Sequence, residues 1–169
     1  VKTWNVIKYL AHHHEVSLVS FVRGDQSASI RELKNYCREV YPVPIQRGKL
    51  RDLMYMAQSF LTGKPFLMIR DQREEMEQLI DQLAASMKFD VAHADQLNMA
   101  QYAARVPSAH KVIDAHNALW RLYKRLWQTM KPGPAKWLLN RDWRLLKKYE
   151  GKVCREFDAV FAVSQEDSL

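Results

Sequence analysis

Three polar side chains, Asp114, His116 and Asn117, fall where a short apolar run gives way to a helical pattern, in His110-Lys-Val-Ile-Asp-Ala-His-Asn117. Val112 and Ile113 form the strand core before them. Leu119, Leu122, Tyr123 and Leu126 recur after them at spacings of three and four. In an open parallel α/β sheet, ligands bind outside the carboxyl ends of the strands, where the helices begin. A carboxylate, an imidazole and a carboxamide at such a point offer hydrogen bonds to a ligand, and the imidazole adds proton transfer near neutral pH. Asn117 equally suits a plain structural role as the N-cap of the following helix.

The elements that would position these residues alternate in type. Residues 2–13 carry a helical apolar stripe that includes Trp4, Ile7 and Leu10 and ends in His12, His13 and His14. Adjacent residues on a helix point in different directions, so the three histidines make a poor metal site and suit the exposed carbonyls of a helix end. Val16–Val22 reads as a strand buried on both faces, and Ser29–Arg38 as a short helix. Pro42 and Pro44 make 39–45 an edge strand or strand end. Gly48–Leu61 is a helix with Leu50, Leu53, Met54, Ala57, Phe60 and Leu61 on one side, and Phe66–Ile69 is too short to classify. A helix over Asp71–Met87 turns Met76, Leu79, Ile80 and Leu83 inward, and Phe89–Ala94 follows as a buried strand with His93 and Asp95 at its end. A short helix at Asn98–Arg105 leads to strand 110–114, helices near 117–130 and 135–155, and strand Ala159–Val163. Ser164-Gln-Glu-Asp167 then reads as a helix N-cap signal.

This order implies an α/β fold: one Rossmann-like parallel sheet with helices on both faces, within a single domain over residues 1–169. The apolar fraction of 47% and charged fraction of 27% belong to an ordinary globular protein, and no apolar run is long enough to span a bilayer. Cys37 and Cys154 have no metal-type spacing, which suits a reducing cytoplasm. A net charge of +7 favours an anionic partner. That charge gathers in 120–155, where Lys and Arg interleave with Trp120, Trp127, Trp137 and Trp143. The mixture suits an interfacial helix on anionic headgroups. It would also serve a phosphate backbone, although no nucleic-acid motif accompanies it. A third reading puts the tryptophans in the core and the charges on a solvated face.

The segment from Trp4 to Val19, then Phe89-Asp-Val-Ala-His-Ala-Asp95, Asp114-Ala-His-Asn117 and the ending through Tyr149-Glu150, Arg155-Glu-Phe-Asp158 and Ala159-Val-Phe-Ala-Val-Ser164 together resemble a family 4 glycosyltransferase. The resemblance covers most of the chain and implies the N-terminal, acceptor-side domain of a GT-B fold. Such enzymes are retaining. They move a sugar from a nucleotide-sugar donor to a glycan or lipid-linked acceptor, with no metal and no further cofactor. It implies that His116 faces the transferred sugar as the catalytic residue, orienting donor and acceptor. Asp114, Asn117, His93, Asp95 and Arg121 then bind substrate. The family's first strand, Gly-rich loop and donor-binding domain are missing from this sequence, so both ends read as cut and the fragment alone is expected to be inactive. The expected location is cytoplasmic, peripheral on the inner face of the membrane, with no nucleic-acid partner. The rival from another class is a non-catalytic basic Rossmann-like module that binds nucleic acid or another polyanion.

Overall fold

A computed structural model describes residues 2–107, 109–115 and 117–162. His116, the expected strand end at Val163 and the capping segment 164–167 lie outside them. The chain is α/β, with small parallel sheets and helices on both sides in a Rossmann-like arrangement. In chain order the elements are α1 (Lys2–His13), β1 (Ser17–Val22), α2 (Ser27–Leu33), β2 (Glu39–Pro44), α3 (Lys49–Thr62), α4 (Phe66–Arg70) and α5 (Glu74–Ser86). They continue with β3 (Val91–Ala94), a single 3-10 turn at Leu97–Met99, α6 (Ala100–Ala103), β4 (His110–Ala115), α7 (Leu119–Thr129), α8 (Pro134–Glu156) and β5 (Ala159–Ala162).

The chain divides after Gly48 into two compact units. In the first, β1 and β2 pair in parallel, from Ser17 opposite Glu39 to Val22 opposite Pro44. β2 bonds to β1 alone within this sheet, so Pro42 and Pro44 cost no ladder to a second neighbour. Val40, Val43 and Ile45 turn inward, whereas β1 is half-buried throughout.

The second unit holds a parallel sheet in the order β3-β4-β5. Ala94 pairs with Ile113, and Ile113 with Val160. Ile113, 1% exposed, meets Met68, Ala94, Ala100, Leu146 and Val153 in the core. The ladders thus form two sheets rather than the single sheet expected from the sequence. β3 is not the buried strand its composition suggests. It lies at an edge of its sheet, with Ala94 packed inward while Val91 and His93 are exposed.

Local chemistry explains the other shifted boundaries. Phe66–Ile69 is helical because the Asp142 carboxylate accepts the Phe66 N–H at 2.7 Å, satisfying a donor at the helix start. α5 starts at Glu74 rather than Asp71, since extended Arg73 gives its N–H to the Tyr102 hydroxyl at 2.8 Å. α7 is capped by Ala118, which is buried at that corner, and its carbonyl accepts the Arg121 and Leu122 N–H groups. Asn117 is left exposed one residue outside, so the N-cap role does not fall to it.

Leu146 has no exposed surface at the centre of this core. Leu146→Ala is therefore expected to lower stability by about 2–5 kcal/mol, the range for large-to-small changes at packed sites. Chemical denaturation of parent and variant measures it, and a loss within about 0.5 kcal/mol would show that the site is not tightly packed.

Candidate functional site

The carboxyl edge of β3 and β4 carries three of the expected site residues, Asp95, Asp114 and Asn117. Asp114 is the penultimate residue of β4, opposite Phe161 of β5, and is 4% exposed. Asp95 lies one residue beyond the Ala94–Ile113 pair, in a bend just past the end of β3. Strand alternation puts the Asp114 carboxylate on the face turned away from Ile113. Asn117 is exposed on the connection from β4 to α7. His93 stands apart from them: it is the third of four residues in β3, opposite Val112, and exposed on that same face. Arg121 is half-buried in the first turn of α7, with its guanidinium 5.3 Å from the centre of the Trp120 ring. His116, between Ala115 and Asn117, lies outside the described residues.

A buried polar network beside this edge has no counterpart in the sequence reading. Asn98, in the 3-10 turn that follows β3, donates to Asp71 Oδ2 at 3.0 Å. Tyr102 donates its hydroxyl to the Asp71 carbonyl at 2.6 Å, and Arg73 donates to the Tyr55 hydroxyl at 2.7 Å. Burial pushes the Tyr102 phenol up to about 12. Burial likewise raises the Tyr123 phenol, and the nearby Asp142 carboxylate adds to the rise. Asp142, also buried in this unit, is a single acid among nine Lys and Arg residues between 119 and 148. A lone acid in so basic a stretch has a defined partner, here the Phe66 N–H.

The basic, Trp-rich segment is a hairpin of α7 and α8 in which cations and rings alternate. Trp120 lies under Arg121 and Lys147, at 5.3 and 4.8 Å, and Trp143 under Lys124 and Arg144, at 5.5 and 5.3 Å. Lys136 covers Trp127 at 5.6 Å, and Trp127 meets Trp143 at 6.2 Å. The third sequence reading holds in part: Trp120 is half-buried and packs against the core cluster, Trp127 and Trp143 are half-buried, and Trp137 is 61% exposed. Cation–π contact explains the partial exposure of Trp120, Trp127 and Trp143, whose rings face charge, while Trp137 stacks on Phe60.

Among the described residues no cluster of His, Cys, Asp or Glu is suited to hold a metal, and no helix is long and apolar enough to cross a membrane. A hollow of about 290 Å³ opens in the first unit between β1 and α2, lined by Phe21, Arg23, Gln26 and Ile30 among others. None of the expected site residues lines it. The carboxyl oxygens of Asp95 and Asp114 are of the type that accepts hydrogen bonds from a hydroxyl-bearing ligand. No family model, curated protein or solved structure matches this chain.

Asp142 supports this region at a cost. Burial raises its carboxyl above the usual carboxylate range, and the Phe66 N–H and the Arg141 charge only partly oppose that. A raised folded value means that its contribution is fully present below the unfolded value near 3.8 and is lost as pH rises through the folded value. At neutral pH, Asp142→Asn should therefore keep the acceptor for Phe66 and leave stability unchanged or higher. Asp142→Ala should lose about 1–3 kcal/mol by orphaning that N–H. Urea melts of both variants at pH 7 decide it, and equal losses would refute the acceptor role.

Proposed function

We propose that the chain is the acceptor-side, Rossmann-like half of a retaining glycosyltransferase, which moves a sugar from a nucleotide-sugar donor to a glycan or lipid-linked acceptor. The observation that supports this most is the carboxyl edge of the paired strands β3 and β4, where Asp114 lies near the end of β4, Asp95 directly follows β3, and His116 and Asn117 come next in the chain. Acceptor hydroxyls would donate to the two carboxylates, while Asn117, His93 and Arg121 give the edge donors for ring and linkage oxygens. His116 would orient the reacting hydroxyl toward the donor sugar. Holding two reactants in register is itself a large part of catalysis. In this reading the nucleotide is held mainly by a domain outside this chain, and neither metal nor further cofactor takes part. The protein works in the cytoplasm, at the anionic inner face of a membrane.

A second reading has one observation in its favour. The nine cations and single buried acid of residues 119–148 would serve a non-catalytic module for nucleic acid or another polyanion.

Glycan arrays and lipid-linked acceptors presented to the purified chain separate the two. The first reading expects acceptor binding with no turnover of any nucleotide sugar, and the second expects salt-sensitive binding of RNA or heparin with no acceptor preference. In the enzyme that includes the donor domain, His116→Ala should lower kcat by roughly 10²-fold, on the order of 3 kcal/mol, with little change in the thermal midpoint. Preserved turnover beside a lowered midpoint would assign His116 a structural role.

A further inference from the structure

The 14-residue helix α3 is packed with its apolar side outward. At 3.6 residues per turn, Leu50, Leu53, Met54, Ala57 and Leu61 fall on one side, and Asp52, Tyr55 and Ser59 on the other. The polar side is the one packed inward: Ser59 has no exposed surface, and Asp52 and Tyr55 are half-buried. Leu50, Leu53, Met54 and Leu61 are 75, 67, 64 and 88% exposed. The stripe continues onto α8, since Phe60 stacks on Trp137 with ring centres 5.7 Å apart and planes within 9°. A surface helix normally turns such a stripe to its own core. An outward patch of this kind marks an interaction site.

The charge around the stripe selects the occupant. Lys49, Arg51 and Lys64 are exposed along α3 and just past its end. The helix's one acid, Asp52, lies about 160° around the axis from Leu50, away from the stripe. Arg141 sits 4.0 Å over Phe60, and Lys136 adjoins Trp137 in the chain. Leucines and a methionine flanked by cations, with an exposed tryptophan at one end, form the pattern of a helix lying in the plane of an anionic bilayer interface.

We propose that α3, with Phe60 and Trp137, is the surface by which this protein docks on an anionic lipid bilayer. The inserted stripe supplies the depth, and Lys49, Arg51 and Lys64 meet the headgroups. This deepens the membrane-side part of the reading above and does not depend on sugar transfer. It also moves the inserting element from the Trp-rich hairpin to α3.

Cosedimentation of the 169-residue chain with phosphatidylglycerol-rich vesicles and with pure phosphatidylcholine vesicles tests it, with Leu53→Glu/Leu61→Glu as the variant. The parent should bind the anionic vesicles, more weakly as salt rises and the Debye length falls from roughly 10 Å at 0.1 M to 3 Å at 1 M. The double variant should lose at least about tenfold in partitioning with an unchanged thermal midpoint, because burial of the stripe drives insertion and both side chains are exposed. Should the glutamates disturb folding, serines at the same positions give the same comparison. Undiminished binding by the variant would leave attachment to the charge of α7 and α8 alone and overturn the assignment. Binding to neither vesicle would overturn it too, as would a dimer, dissolved by the variant, in a chain that ignores vesicles. Glycan binding by the same samples reports separately on the acceptor site, so either conclusion can fail without the other.

Discussion

Two neighbouring side chains of α8 fix how the second unit is put together. Arg141 donates to the Ser59 hydroxyl and to the Ser59 carbonyl, near the end of α3. The next residue, Asp142, accepts the first N–H of α4. Between those points Ser59 gives its hydroxyl to the Lys64 carbonyl, and Gly63, at φ +67°, closes the end of α3 with its N–H on the Ser59 carbonyl. That left-handed backbone suits glycine, which has no Cβ to clash. The clasp thus joins three helices by polar contacts made to backbone groups that helix ends otherwise leave unsatisfied. Hydrogen bonds involving a charged partner contribute about 1.5–3 kcal/mol each, and these two hold Ser59 on the inward side of α3. The side bearing Ser59 turns in, and the leucines must then turn out.

The sheet answers a different constraint. β4 is the one strand of its sheet with neighbours on both sides, and it is packed on both faces: Ile113 toward the core and Asp114 the other way. An acid in that position has its environment specified by the strands beside it. The polar edge is therefore formed by register as much as by residue type. Ala94 pairs with Ile113, which sets where β3 ends beside β4, and a one-residue slip would turn every side chain of β3 to the other face.

How much of this was legible in the sequence depends on the range of the interaction. The alternation of strands and helices, and the position of β4 before a helix, followed from apolar periodicity, which is local. The burial of β3 is not legible in its composition, because burial depends on which strand becomes an edge, and pairing order is not local. The three-residue difference at the start of α5 depended on Tyr102, twenty-nine residues after Arg73. The helical state of Phe66–Ile69 depended on Asp142, seventy-six residues away. At the candidate site, Asp114 and Asn117 were readable from the abrupt change in polarity at a strand end. The Asp71–Asn98–Tyr102 network was not, since Asp71 lies 27 residues before Asn98 and none of the three stands out in its own neighbourhood.

The same clasp bears on what the basic surface can do. The rings of Trp120, Trp127 and Trp143 each face lysine or arginine from their own hairpin, so moving them into an apolar phase would forfeit those contacts, worth about 0.5–1 kcal/mol each at exposed sites. Leu50, Leu53, Met54 and Leu61 forfeit nothing comparable, and each gains about 1.5–3 kcal/mol when fully removed from water. A lysine or arginine near an anionic leaflet adds about 1 kcal/mol. Per residue, then, the stripe outweighs the charges around it, and the charges set which surface it meets. A hairpin whose rings are occupied by its own cations suits a supporting role, holding Arg141 and Asp142 where they orient α3. The outward leucines follow from the inward serine, and the capacity to meet an apolar phase follows from both.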